Sequence, residues 1–249
     1  MPGPDDRLVY GRRPVLEALR AGSPVERVLI AQEVRPSPVL TEIRRQAGRA
    51  AVPVRIVPRA ELDRLASGNH QGVAALTGRY RYAALDALLA VPEPCLLFLD
   101  RVTDPHNLGS LLRSADGAGF SGVVIPAHRS AGVTDTVRRV SAGAAEVVAV
   151  ARVASLGAAL ERAKGAGLWI LGLDEQAEGD LWRTTLAAPP VGLVLGAEDR
   201  GLSSSARARC DELVRIPTRG RIGSLNVAVA GAVAMFEVSR RRGMPSDNL

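Results

Sequence analysis

Three polar stretches of the chain set amide, guanidinium, carboxylate and hydroxyl groups beside glycines. They are LDRVTDPHNLGSLLRSAD at residues 99–116, LVLGAEDRGLS at 193–203 and IPTRGRIGSLNVAVAGA at 216–232. Each follows an apolar run that reads as a strand, ending at Asp100, Leu195 and near Ile216. In α/β sheets, ligands bind beyond the carboxyl ends of strands, so these are the places to look for chemistry. The third stretch continues into a long helix. Ser224 suits its N-cap, and Leu225, Val229, Ala232 or Val233, and Phe236 form one apolar face. Arg240, Arg241 and Arg242 fall in the last turn, favourable to the helix dipole, and Gly243 stops it. A cap accounts for Ser224 but not for Asn226 in the first turn.

A fourth stretch, GAGFSG, has the G-x-G-x-x-G spacing of a dinucleotide site at Gly117, Gly119 and Gly122. That chemistry requires a strand before the glycines and a helix after them. Here the order is reversed. Leu108, Leu111, Leu112, Ala115 and Ala118 recur at helical spacing upstream, and GVVIP reads as a strand downstream. The glycines therefore end a helix, and an oxidoreductase reading fails.

The elements that must hold these stretches come from an Ala/Val/Leu-rich chain of 249 residues, 47% hydrophobic and 3% aromatic. That is a globular composition with room for one large domain or two modest ones. No apolar run approaches a membrane-spanning length, and MPGPDDRLVYGRR lacks the apolar core of a signal peptide. Cys95 and Cys210 stand apart from any metal-ligand spacing and read as buried thiols of a cytoplasmic protein, so no metal is expected. The net charge is +6, and residues 1–80 carry 13 Arg against 8 acidic residues. An Arg-rich first third suits phosphate tracking, although a solvated surface gives the same count.

The first third reads as a small α/β unit. YGRRPVLEALRAG is an amphipathic helix with Val15, Leu16 and Leu19 inward. ERVLIA, PVRIVP and GVAALTG are strands, and LTEIRRQAGR and AELDRLAS are helices. The expected organisation is a domain at 1–80, a connection at 81–94 closed by Pro92 and Pro94, and a second domain at 95–249. In the second domain the candidate strands are CLLFLD, GVVIP, EVVAV, LWILGLD, VGLVLG and LVRIP. Several are near-continuous apolar runs, as parallel strands covered on both faces require. The fold class is α/β, a mostly parallel sheet flanked by helices with a smaller N-terminal domain.

NLGSLLRSADGAG, LGAEDRGLS and IPTRGRIGSLNVAVAGAVAMFE resemble motifs 1, 2 and 3 of the SpoU (TrmH) family of the SPOUT superfamily. They occur in order over roughly residues 96–242. The first third resembles the family's L30e-like substrate-binding domain, with YGRRPVLEAL near its start and NHQGVAAL near its end. With LDRVTDPHNLG, the whole is most similar to RlmB-type enzymes. The resemblance implies a deep trefoil knot near the C-terminus and a homodimer. It also implies S-adenosylmethionine-dependent 2′-O-methylation of a guanosine ribose in large-subunit (23S) rRNA, in the cytoplasm.

The resemblance also carries residue roles. Gly196, Ile216 and Leu225 would hold the cofactor. Arg113 would bind a substrate phosphate and orient the ribose hydroxyl, since an arginine stays protonated. Asn107, Glu198, Ser224 and Asn226 would position the ribose or organise the loops. Arg138 and Arg139, Arg219 and Arg221, and His70 are further expectations for RNA contact. TRGRIGS is more basic than in many relatives, which leaves the target open. The alternatives are another rRNA site, a tRNA, or a non-catalytic RNA-binding paralogue.

Overall fold

In the first β-sheet, alternate residues of the strands face opposite sides, and both sides are apolar. The computed structural model describes residues 8–66, 68–78, 80–220 and 224–243, in two compact units. The first unit opens with β1 (Leu8–Tyr10), α1 (Arg12–Arg20), β2 (Val25–Ala31), α2 (Pro38–Arg49), β3 (Val54–Val57), α3 (Arg59–Leu65) and β4 (Val73–Thr77). Its strand order is β1-β4-β2-β3, with β2 and β3 parallel and the other pairs antiparallel. Val28 and Ile30 pack with Val15, Leu40 and Ile43 from α1 and α2. Leu29 and Ala31 point the other way, onto Leu62 of α3. A sheet covered on both faces reads as an apolar run rather than a clean alternation.

The second unit carries α4 (Leu85–Leu89), β5 (Cys95–Leu99), α5 (Pro105–Gly117) and β6 (Gly122–Pro126). Next in the chain come α6 (Asp135–Val140) and α7 (Ala144–Val147), which belong to the first unit. The second unit resumes with β7 (Val150–Val153), α8 (Leu156–Gly165), β8 (Trp169–Leu173), β9 (Gly179–Asp180), β10 (Val191–Leu195), α9 (Ser204–Arg207), β11 (Glu212–Arg215) and α10 (Val227–Arg242). Seven strands in the order β7-β6-β5-β10-β8-β11-β9 pair in parallel throughout. The smaller antiparallel-containing sheet and the larger parallel one are the α/β architecture expected. α5 is capped by Asp104, whose side chain accepts from His106 N, and ends before Gly119 at φ +69. The glycines of GAGFSG thus close a helix and lead into β6.

Three readings need correction. EVVAV is not a strand: α7 takes Val147, and β7 starts at Val150. Residues 133–147, expected within the second domain, pack with the first unit. There Arg138 is buried, with Nε 3.0 Å from Glu146 Oε1 and Nη1 donating to Thr77 Oγ1 at 2.7 Å. Ser23 Oγ donates to Glu146 at 2.5 Å, and Arg139 Nη1 to the Tyr10 hydroxyl at 2.7 Å. Arg138 is therefore a buried structural cation, not a phosphate contact. Stripping either partner from such a pair strands an uncompensated charge, which costs about 3–5 kcal/mol.

The third correction concerns α10. The side that packs inward is Val227, Ala228, Gly231, Ala234, Met235 and Val238. Val229 and Phe236 are about half exposed, at 50% and 47%. The helix is apolar on both sides, so periodicity could not choose; close approach did. A Cβ on Gly231 would lie 2.4 Å from Leu111 of α5 and 2.6 Å from Leu195 of β10.

At its far end α10 is tied down by Glu237, which accepts from Arg240 Nε at 2.8 Å and Arg241 Nε at 2.6 Å. Arg241 also donates to the carbonyls of Leu181 and Thr184. The Arg240 hydrogen bond, opposed by burial and aided by Arg241, pulls the Glu237 carboxyl from 4.5 to about 2. A depressed carboxyl stabilises the fold above its unfolded value and loses that contribution as pH falls through the folded one. Acid unfolding of Glu237→Gln, followed by circular dichroism, should therefore fall off less steeply than wild type between pH 4.5 and about 2. Parallel curves would remove Glu237 from the acid response.

Candidate active site

The carboxyl ends of β5, β10 and β11, together with the start of α10, carry the three polar stretches of the sequence. Asn107 sits in the first turn of α5 and is buried. Glu198 lies in the turn after β10 and Asn226 just before α10. Glu198 Oε1 accepts from Asn107 Nδ2 at 3.0 Å, from Asn226 Nδ2, and from Val227 N at 3.4 Å. Asn226 Nδ2 also lies 3.1 Å from Asn107 Oδ1. Three residues separated by up to 119 positions thus close into one hydrogen-bonded cluster.

Asn226 has a second task. Its Oδ1 accepts from Ala228 N at 2.9 Å and Val229 N at 3.3 Å, which makes it the N-cap of α10. Ser224 does not cap the helix, contrary to the sequence reading; it lines the neighbouring cleft. An asparagine serves here because a cap needs only its oxygen, leaving the amide nitrogen for Glu198.

That cleft has a volume of about 370 Å³, within the range of small-molecule sites. Leu195, Gly196, Ile216 and Leu225 supply apolar surface, and Asp174, Glu198 and Arg207 supply charge. Gly196, Ile216 and Leu225 are therefore brought together with Glu198 and Ser224. Gly196 is required for a reason the sequence did not show. A Cβ there would lie 2.1 Å from the Gly201 carbonyl carbon and 2.3 Å from Leu202 N. The loop folds back on itself, and its own backbone fills the space above the glycine.

Two residues given no role in the sequence reading hold that loop. Asp100, buried at the end of β5, accepts from Ser203 N at 2.6 Å. Arg101 follows in a left-handed conformation, φ +64, and its Nη2 donates to Gly201 O at 3.4 Å. Asp174, at the end of β8, is likewise buried on one oxygen against Arg207 of α9. A carboxylate closing an apolar strand, as in LFLD and LGLD, was the available signal.

Arg113 stands apart. It is exposed on α5, six residues beyond Asn107 and so about 9 Å along the helix. It has no hydrogen-bond or ion-pair partner among the described residues. Arg219 is exposed, and Arg221 lies outside the described residues. His70 of the first unit is buried: Nδ1 accepts from Gly72 N at 3.0 Å, and Nε2 lies 2.8 Å from Asp63 Oδ1. That is a structural histidine shaping a turn, not an exposed contact. Among the described residues no helix is long and apolar enough to cross a membrane, and no His, Cys, Asp or Glu cluster suits a metal.

Comparison with known proteins agrees with this architecture. Residues 94–236 match the model of the SpoU rRNA methylase family, and residues 8–83 that of RNA 2′-O ribose methyltransferase substrate binding. A Bacillus subtilis protein named as a TrmH family tRNA/rRNA methyltransferase, YacO, is 37% identical over 239 residues, 94% of this chain and 95% of its own. Among solved structures, the SpoU methyltransferase AviRb of Streptomyces viridochromogenes in complex with AdoMet superposes with a TM-score of 0.80. It is 29% identical, covering 94% of this chain and 89% of that one. An RNA 2′-O ribose methyltransferase superposes with a TM-score of 0.76 at 28% identity, over 94% and 88% of the two chains.

Replacing Gly196 by Ala forces the 196–203 loop apart, an overpacking cost of about 1–3 kcal/mol. The variant should melt several degrees below wild type, and amides of this loop should exchange faster. Unchanged melting and exchange would mean that the loop tolerates the extra methyl group.

Proposed function

The chain belongs to the SpoU rRNA methylase family and is an S-adenosylmethionine-dependent RNA methyltransferase; from that premise we propose that it methylates the 2′-hydroxyl of one guanosine ribose in large-subunit (23S) rRNA. The observation that carries the reading is the Asn107–Glu198–Asn226 cluster, whose Glu198 lines the 370 Å³ cleft. The finer target rests on the substrate-binding module at residues 8–83 beside the catalytic one and on LDRVTDPHNLG. The YacO relative carries both tRNA and rRNA in its name, so a tRNA ribose is the competing target.

The cleft suits the cofactor chemically. Its apolar walls at Leu195, Ile216 and Leu225 match an adenine, and the Glu198 carboxylate, which lines the same cleft, matches a cationic sulfonium or ammonium. S-adenosylmethionine supplies an electrophilic methyl group when bound. Gly196, Ile216 and Leu225 would hold it, and Ser224 borders the same space. Asn107, Glu198 and Asn226 keep the loops that border the cleft aligned, so that a bound ribose would be held with its 2′-oxygen fixed in place. Arg113, which has no other partner among the described residues, takes a phosphate of the substrate and orients the hydroxyl. The hydroxyl proton leaves to that phosphate or to water, because a guanidinium has no lone pair to offer.

The same reading includes the family's trefoil knot near the C-terminus and a cytoplasmic setting in which both thiols stay reduced. It also includes a homodimer. Val229 and Phe236 form an exposed apolar strip on α10, and Phe236 lies against Gly117 of α5. Two-fold dimers bury such strips against themselves.

Transfer of labelled methyl from S-adenosylmethionine to total rRNA, mapped by nuclease digestion, tests the function. Label on one guanosine ribose of large-subunit rRNA is expected, with loss of about 10²-fold or more in Arg113→Ala and none on a 2′-deoxy target. Label on tRNA alone, or on the 2′-deoxy substrate, overturns the target or the chemistry respectively. For assembly, wild type should sediment as a dimer and Phe236→Glu as a monomer. A monomeric wild type removes the dimer from the reading.

A further inference from the structure

The first unit has its own polar cleft, of about 410 Å³, lined by Arg12, Glu33, Val34, Arg35, Arg59 and Gln71. It lies where the parallel strands β2 and β3 reach their carboxyl ends, the side of a sheet where ligands gather. Its floor is rigid. Arg12 donates from Nη1 to Ser37 Oγ at 2.9 Å, from Nη2 to Arg35 O at 3.4 Å and from Nε to Gln71 O at 3.3 Å. One guanidinium thus ties two loops together. Gln71 has a left-handed backbone, φ +53, and its own amide N–H donates to Asn69 Oδ1 at 3.1 Å. A Cβ on the next residue, Gly72, would strike Val34 at 2.6 Å. Backbone held in this way is characteristic of ligand clamps.

The side chains left over define the ligand. The Arg35, Arg59 and Glu33 side chains are exposed and have no hydrogen-bond or ion-pair partners among the described residues. Two free guanidinium groups suit phosphodiester oxygens. A site for phosphate alone would be weakened by the Glu33 carboxylate, so that group must face donors. Gln71 Oε1 accepts from Arg12 N at 3.3 Å, which leaves its Nε2 hydrogens to donate outward. A carboxylate accepting N1–H and N2–H, beside an amide donating to O6, complements the Watson–Crick edge of an unpaired guanine. Sequence-specific RNA recognition targets such unstacked bases.

We propose that this cleft reads one unpaired guanosine of the RNA substrate, with Glu33 and Gln71 on the base and Arg35 and Arg59 on its phosphates. The inference rests on RNA being the substrate, as read above, and assigns the base-reading role to the first unit alone.

The test uses the full chain and fluorescent oligouridylates carrying one central guanosine, inosine or adenosine. Wild type should prefer guanosine over adenosine by about tenfold, the discrimination of one bidentate contact. Inosine, lacking the N2 amino group, should fall between. Glu33→Gln should erase the preference and leave the salt dependence unchanged. The pair Arg35→Ala with Arg59→Ala should weaken every oligonucleotide alike and flatten the log–log salt slope by ~0.7 per arginine. All three side chains are exposed, and melting curves check that the variants fold. A preference surviving Glu33→Gln, or a salt slope unmoved by the arginine pair, overturns the proposal. Methyl transfer to rRNA by wild type separates the two readings. Transfer without a guanosine preference sinks the cleft alone, and a preference without transfer sinks the methylation reading alone.

Discussion

One carboxylate oxygen, Oε1 of Glu198, takes donors from Asn107, Asn226 and Val227, and the arrangement of the second unit follows from satisfying it. An oxygen with several donors has little freedom to move. α5, the turn after β10 and the start of α10 are therefore positioned against each other at one point. The parallel sheet below supplies the coarse placement, since β5 and β10 are neighbours with Leu99 opposite Leu195. The polar cluster supplies the final ångström of that placement. Gly231 completes the fit by letting α10 come down onto Leu111 and Leu195.

The loop after β10 is built from backbone rather than side chains. Gly196 leaves room for Gly201 and Leu202. Asp100 and Arg101 hold Ser203 and Gly201 from the neighbouring strand end. The left-handed Arg101 stores a small strain there, and such strain persists only where surrounding bonds over-determine it. This explains how an exposed carboxylate such as Glu198 keeps a defined position. The turn that carries it is clamped at both ends, one end by β10 and the other by β5.

Much of this was legible in the sequence. Apolar runs marked the strands, polar stretches at their ends marked where to look, and the family resemblance singled out Asn107, Glu198 and Asn226 within them. The misreadings share a physical cause. α10 is apolar all round, so Val229 and Phe236 were as good a buried face as Gly231 and Met235 until packing chose between them. Ser224 and Asn226 are both capping residue types, and only the backbone geometry decides between them. Arg138 looked like a surface charge because its partners, Thr77 and Ser23 through Glu146, are distant in sequence. Asp100 and Asp174 were visible as letters, but their role depends on loops that return much later in the chain.

The position of residues 133–147 has a consequence for how such proteins are assembled from parts. The chain leaves the first unit at residue 81, re-enters it at 133 and leaves again at 147. A cut at the proline-rich connection, the obvious seam, would leave the first unit without Arg138 and Glu146, and the Tyr10 hydroxyl without Arg139. The remaining fragment would keep two short helices with no core to enter. The two units are thus interleaved along the gene although each is compact in space. A graft that moves RNA recognition from one relative to another must carry both pieces of sequence, and recombination at a single junction would yield a chimera with an unsealed core.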